Sequence, residues 1–100
     1  PAAAGPADLV LIGLKATAND ALPRLLPPLL GAETAVVNLQ NGLGVDEAVA
    51  AVAGAARTLG ALCFVCVNRI APGVAECTLP GYIALGDATG APTVRTEAVA

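Results

Sequence analysis

The stretch Asp8-Leu9-Val10-Leu11-Ile12-Gly13-Leu14 is a continuous apolar run behind a single acid, and it stops at Lys15. A strand with one face in water alternates apolar and polar residues. This one does not, which fits a strand covered on both faces, as in parallel sheets. Parallel strands cannot be joined by a tight hairpin; they need a crossover, usually helical and right-handed. The residues after Lys15 supply one. Thr17 or Asn19-Asp20 can cap a helix, and Pro23 is tolerated if that helix starts near Asp20, with the proline in its first turn. Pro27-Pro28 ends or kinks it, and Gly31 closes the segment.

Thr34 to Leu39 reads as a second strand, which ends in the turn signal Gln40-Asn41-Gly42-Leu43-Gly44. Asp46 and Glu47 then stand at the positive end of a new helix. Val45, Ala48, Val49 and Val52 fall at i, i+3, i+4 and i+7 and give it one apolar face. Gly54 is its expected C-terminal cap. Thr58 to Val67 is a third strand, Arg69-Ile70-Ala71-Pro72-Gly73 a turn, Val74 to Leu79 a fourth strand, Pro80-Gly81 a further turn, and Tyr82 to Leu85 a short fifth strand. The closing turns are too short for parallel crossovers, so the last strands should be antiparallel. Gly86 to Ala100 is rich in Gly, Thr and Ala and leads toward another helix. The fold class predicted is α/β, half of a doubly wound parallel sheet with an antiparallel strand extension.

Composition narrows the function classes. The chain has 100 residues, 56% of them hydrophobic, with one Phe, one Tyr and no Trp, so its core is built from Leu, Val, Ile and Ala. A charged fraction of 13% and a net charge of −3 argue against a nucleic-acid partner. There is no His, which removes the commonest general base and metal ligand. Cys63 and Cys66 have a C-x-x-C spacing, but zinc needs four ligands and Cys77 is the one remaining thiol. A redox pair would sit at a helix N-terminus, whereas these two lie in an apolar run whose alternation sends them to opposite faces. They are expected to be small buried strand residues in a reducing cytosol, with no metal. The longest apolar run, Thr58 to Val67, is about half the ~18 residues that a membrane span needs, so a soluble chain is expected. The chain lacks Met, opens on Pro1, and shows no signal-peptide pattern over Pro1 to Ala7. These residues are therefore expected to be an excerpt from a longer chain.

In open α/β sheets, ligands bind beyond the carboxyl ends of the strands. Lys15 ends the first strand and Gln40-Asn41-Gly42 the second, which puts both on one edge facing one crevice. A cation beside a carboxamide can hydrogen-bond ribose hydroxyls, a nicotinamide amide or a substrate carboxylate. Gly42 and Gly44 let the backbone approach a ligand and open the next helix. Each feature also has a plain structural explanation, since a lysine after a buried strand can simply be solvated and Asn-Gly is a common turn dipeptide. On spacing alone, both explanations stand.

The segments Asp8 to Lys15, Leu39-Gln40-Asn41-Gly42-Leu43-Gly44, Arg69-Ile70-Ala71-Pro72-Gly73-Val74 and Leu79-Pro80-Gly81-Tyr82-Ile83-Ala84-Leu85-Gly86, in this order and at these intervals, resemble the middle of the ketopantoate reductase (2-dehydropantoate 2-reductase) family. The resemblance covers nearly all of the chain. It implies a partial Rossmann-type fold, with residues 1–86 the later part of an N-terminal NADP-binding domain and 87–100 a linker toward a helical C-terminal domain. It implies NADPH-dependent reduction of 2-dehydropantoate to pantoate in the intact cytoplasmic enzyme, within pantothenate and coenzyme A synthesis. Its partners would be a small 2-keto acid and, in the intact enzyme, a second copy in a homodimer, with no nucleic acid or membrane. Lys15 resembles the family lysine that contacts the nicotinamide-side ribose, and Asn41 the asparagine near the nicotinamide and the substrate. Cys66 falls near a position whose backbone touches the cofactor. The Gly-rich phosphate loop, the basic residue that selects a 2′-phosphate, and the catalytic lysine with its substrate-binding neighbours have no counterparts here. The resemblance therefore places cofactor contacts in these residues but no catalytic group, and the excerpt alone should be inactive. Another 2-keto or 3-hydroxy acid dehydrogenase of the superfamily, or a non-catalytic Rossmann-type binding module, are the alternatives.

Overall fold

The apolar run that opens at Asp8 forms strand β1 (Ala7–Ile12) in a computed structural model that describes residues 1–87 and 90–100. Its parallel partner is β2 (Leu30–Asn38), with Leu9 opposite Ala35 and Ile12 opposite Asn38. A second parallel pairing sets Val36 of β2 against Thr58 at the start of β3 (Thr58–Ala71). β3 turns at Pro72-Gly73 into the antiparallel β4 (Val74–Asp87), giving the sheet order β1-β2-β3-β4. The α/β class, with parallel strands followed by an antiparallel extension, is as the sequence predicts.

The first crossover is more broken than expected. A 3₁₀ turn over Ala16–Ala21 leads into one turn of helix, α1 (Leu22–Leu25), and a second 3₁₀ turn over Pro27–Leu29 follows. Pro23 sits in the first turn of α1, where its missing N–H costs nothing, while Pro27 cannot continue the helix. None of Thr17, Asn19 and Asp20 caps a helix: all three lie inside the 3₁₀ turn, Ala21 holds the N-cap position of α1, and the Asn19 amide oxygen accepts from a distant side chain, that of Gln40. The second crossover helix, α2 (Val45–Ala53), buries Val45, Val49 and Ala53, and Gly54 (φ 98°) terminates it. Together α1 and α2 cover one face of the sheet. Ile12, Leu22, Leu26, Val36, Val49 and Ala53 form the core there, flanked by Val10, Leu30 and Val52.

The other face is only partly covered. Leu9 and Leu11 remain 43% and 59% exposed, so the expected burial of β1 on both sides holds on one side alone. A six-residue helix, α3 (Val94–Val99), lies over this second face. Thr93 caps α3 in a reciprocal capping box with Thr96. Arg95 secures it by donating to the Ala56 carbonyl and approaching Glu33 at 3.7 Å. The Glu33 side chain is largely in water, so that ion pair contributes little.

The two strands predicted on either side of Pro80-Gly81 are one. Phe64 pairs with Tyr82 and Cys66 with Leu79, so Pro80 and Gly81 together oppose Val65 as a bulge, not a turn. β4 ends the sheet order, where a proline's missing donor is tolerated. Gly81 is required by close approach. A Cβ there would meet the Phe64 carbonyl oxygen and lie 2.9 Å from Val65 Cγ1. Gly81→Ala should therefore cost about 1–3 kcal/mol in urea unfolding, the range for overpacked sites, whereas Gly86→Ala, with open space around it, should be near neutral. Equal midpoints for the two variants would contradict this account of the bulge.

From Phe64 to Ala71 on β3 and from Val74 to Ala84 on β4 the hairpin is exposed to solvent. Cys63 is half-buried, and Cys66 and Cys77 are exposed, so the expectation of buried cysteines fails for the latter two. All three are free thiols. Phe64 and Tyr82 stack across the strands with ring centroids 4.7 Å apart. No helix among the described residues is long and apolar enough to cross a membrane.

Candidate functional site

A parallel register sends the ends of β1 and β2 out of the same edge of the sheet. Leu39 N–H donates to the Ile12 carbonyl at 3.0 Å and extends the pairing past the strands. Lys15 stands just beyond, extended at φ −65° and ψ 142° and exposed to solvent. Its carbonyl accepts from Ala18 N–H at 2.8 Å and so opens the 3₁₀ turn. Across from it, Gln40 is buried and Asn41 is exposed. Lys15 and Asn41 line one cavity of about 310 Å³, whose other walls are Gly13, Leu14, Ala16, Leu39 and Gln40.

The walls are held by a chain of buried amides. Gln40 Nε2 donates to the Leu14 carbonyl at 2.9 Å and to Asn19 Oδ1 at 2.6 Å. A carbonyl can only accept, so the Leu14 contact fixes which end of the Gln40 amide faces it. Gln40 Oε1 is then enclosed without a partner. An unpaired buried acceptor costs roughly 1–3 kcal/mol, so this orientation is maintained by the two donated bonds. The Gln40 N–H donates to Asn38 Oδ1 at 3.3 Å, and Asn38 Nδ2 donates to Asp46 Oδ1 at 2.7 Å in the first turn of α2.

The Asp46 carboxylate occupies space that Gly60 of β3 leaves open, since a Cβ at Gly60 would lie 2.7 Å from Asp46 Oδ2. Next to it is a second cavity of about 430 Å³, bounded by Gln40-Asn41-Gly42, the start of α2, Gly60–Leu62 and the end of β4. Gly42 and Gly44 adopt positive φ values of 144° and 76° in the turn, as a sharp entry into α2 requires.

The sequence-predicted residues are thus only partly brought together. Lys15 and Asn41 share a cavity. Cys66 does not line it; it lies further along β3, opposite Leu79, with its carbonyl accepting from the Thr78 hydroxyl at 3.3 Å. Asn38 and Asp46 form a supporting network that the sequence reading missed, and Gln40, read there as part of the crevice-facing turn, is buried and belongs to that network. A signal for Asn38 was available: a polar residue near the end of an otherwise apolar strand needs a buried partner. Chemically, the first cavity offers an ammonium with three donors and a carboxamide able to donate and accept. This suits hydroxyl, amide or carboxylate groups of a ligand.

Comparison with known proteins gives a consistent set of relatives. The family model described as ketopantoate reductase PanE/ApbA matches residues 1–90. A 2-dehydropantoate 2-reductase of Nostoc sp. (strain PCC 7120) is 41% identical over 80 residues, which make up 80% of this chain and 25% of that protein. The crystal structure of 2-dehydropantoate 2-reductase from Geobacter metallireducens GS-15 matches at TM-score 0.90 and 42% identity, over 99% of this chain and 33% of that one. A putative ketopantoate reductase from Ralstonia solanacearum MolK2 shares the fold at TM-score 0.82 and 23% identity, over 98% of this chain and 36% of that one. The chain therefore spans a quarter to about a third of the length of the relatives it matches.

Proposed function

Because the chain belongs to the ketopantoate reductase PanE/ApbA family, we propose that it forms the later part of the cofactor-binding domain of an NADPH-dependent 2-dehydropantoate 2-reductase. In this reading residues 1–86 carry the NADP-binding part and 87–100 lead toward a helical C-terminal domain. When bound, the reduced nicotinamide supplies the hydride that turns 2-dehydropantoate into pantoate, a step of pantothenate and coenzyme A synthesis in the cytoplasm. The substrate is a small 2-keto acid, and the intact enzyme works as a homodimer.

The observation that carries the reading is the shared cavity of Lys15 and Asn41 at the carboxyl ends of two parallel strands. Its size, about 310 Å³, is at the low end of ligand sites and suits the nicotinamide riboside end of a dinucleotide better than the whole molecule. The Lys15 ammonium has donors for ribose hydroxyls, and the Asn41 carboxamide matches an amide or a carbonyl of the ligand. Gly13 leaves the wall beside them free of a side chain. Cys66 lies outside this cavity, and the resemblance assigns it a backbone contact only, so its thiol is dispensable in this reading. These residues orient the reactants into a near-attack arrangement, and the groups that handle the proton lie outside this chain.

The test compares NADPH binding, followed by cofactor fluorescence, in the full-length protein and its variants. Lys15→Ala and Asn41→Ala should each raise Kd by about tenfold or more, since hydrogen bonds involving charged or closely matched groups contribute about 1.5–3 kcal/mol. Cys66→Ala should leave it unchanged. If Lys15→Ala and Asn41→Ala both bind and turn over like the parent, the site assignment is wrong.

A further inference from the structure

We propose that Gln40, in the wall of the cavity, acts as a positioning residue: its inward-turned amide sets the distance and orientation between Lys15 and Asn41. The inference rests on the cofactor-site reading given above and deepens it. A carboxamide at the carboxyl end of a sheet strand would ordinarily project into the crevice, as Asn41 does. Gln40 instead is 8% exposed, and its amide turns inward. Nε2 crosses from β2 to the end of β1, where it holds the Leu14 carbonyl at 2.9 Å. That carbonyl belongs to the planar peptide unit that ends at the nitrogen of Lys15, so holding it fixes the plane from which the Lys15 side chain departs. The peptide on the other side of Gln40 leads directly into Asn41. One side chain therefore ties together the backbone roots of the two residues that line the cavity.

Gln40 is itself held from three directions. Asn19 Oδ1 accepts the second Nε2 hydrogen at 2.6 Å and binds the 3₁₀ turn that follows Lys15. On the other side the Gln40 N–H donates to Asn38 Oδ1, and Asn38 is anchored to Asp46 at the start of α2. The side chain keeps this orientation although it leaves Oε1 enclosed and unpaired. The two donated bonds fix this orientation, so the residues that line the cavity are held in place from behind by a second layer.

The experiment measures NADPH Kd by fluorescence and thermal midpoint without cofactor, in the full-length protein. Gln40→Met keeps the length of the side chain and removes the donor. It should raise Kd about tenfold, as lost supporting contacts typically do. The same substitution in the Lys15→Ala, Asn41→Ala background should add less than about twofold, because there is nothing left to position. Parent-like binding by Gln40→Met while Lys15→Ala and Asn41→Ala bind weakly overturns the positioning role and leaves the site reading intact. Parent-like binding by Lys15→Ala and Asn41→Ala sinks the site reading, and the positioning role falls with it. A full tenfold effect that persists in the combined background shows that Gln40 acts by another route and also overturns the proposal. Should Gln40→Met fold poorly, the partner residue carries the test. Asn19→Leu removes one acceptor and should weaken binding several-fold, while Asn19→Asp restores an acceptor and should bind like the parent. Equal Kd values for these two variants would overturn the proposal.

Discussion

Asn38→Leu is expected to lower the stability of the protein by about 2–4 kcal/mol and to weaken cofactor binding with it. Asn38 is 1% exposed and uses both ends of its amide. Nδ2 donates to Asp46 at 2.7 Å, and Oδ1 accepts the Gln40 N–H at 3.3 Å. Leucine has the same branched shape, though it is larger, and offers neither function, so a backbone N–H and a carboxylate lose their partners together. Each group stranded away from water costs roughly 1–3 kcal/mol, and a carboxylate can cost more. Asp46 is only half-buried and faces a cavity, so water recovers part of its share, which limits the sum. The measurement is a shift of the urea midpoint at unchanged slope. Asp46→Asn keeps an amide oxygen for Asn38 and should be much milder. A midpoint for Asn38→Leu equal to that of the parent would mean that the Asn38–Asp46 bond does not hold β2 to α2.

The two predicted effects on Asn38→Leu, on stability and on binding, share one physical cause. Loss of the Asn38 oxygen frees the Gln40 N–H, and Gln40 in turn holds the Leu14 carbonyl at the root of Lys15. If the proposed cofactor site is right, stability and cofactor affinity are coupled at the carboxyl edge of the sheet, and a variant such as Cys66→Ala, far along β3, should move neither.

The parallel part of the sheet was legible because its signals are local and strong. Asp8 to Leu14 and Thr34 to Leu39 are apolar runs closed by polar turns, and Gly54 marks the end of α2 where only a residue at ease with positive φ fits. That Lys15 and Asn41 would share one cavity was legible for a topological reason, since parallel strands deliver their carboxyl ends to one edge. What remained hidden depends on partners distant in sequence. Asn19 looks like a helix cap until Gln40, on another strand, takes its oxygen. Pro80-Gly81 carries the same dipeptide signal in a turn and in a bulge, and only the pairing of Phe64 with Tyr82 and of Cys66 with Leu79 decides between them. Cys66 reads as buried in an apolar run, yet burial is set by what packs over the hairpin. No periodicity reports that. Gln40 and Asn41 are adjacent polar residues in one turn, and nothing in their order says which faces inward.

Leu59→Ala should be the most destabilising of the simple truncations, at about 2–5 kcal/mol, the usual range for a fully buried leucine. Leu59 is 1% exposed and sits where the parallel sheet passes into the antiparallel hairpin, opposite Val37 on one side and Asp87 on the other. Neighbours on both sides are bound to it through backbone pairing, so the structure can collapse only a little around the missing side chain, and most of the cavity cost remains. Three positions along the same strand, Leu62 is 65% exposed, and Leu62→Ala should change stability by no more than about 0.5 kcal/mol. The pair separates two accounts of the long hairpin. If the hairpin beyond Leu59 is a projecting element outside the core, the two leucines differ by several-fold in cost. If instead the intact protein packs another layer over Leu62, Phe64 and Tyr82, both truncations are costly and the midpoints converge. Urea unfolding of the two variants in the full-length protein decides between these outcomes. Comparable losses would also reassign the exposed apolar side chains of β3 and β4 to an internal interface.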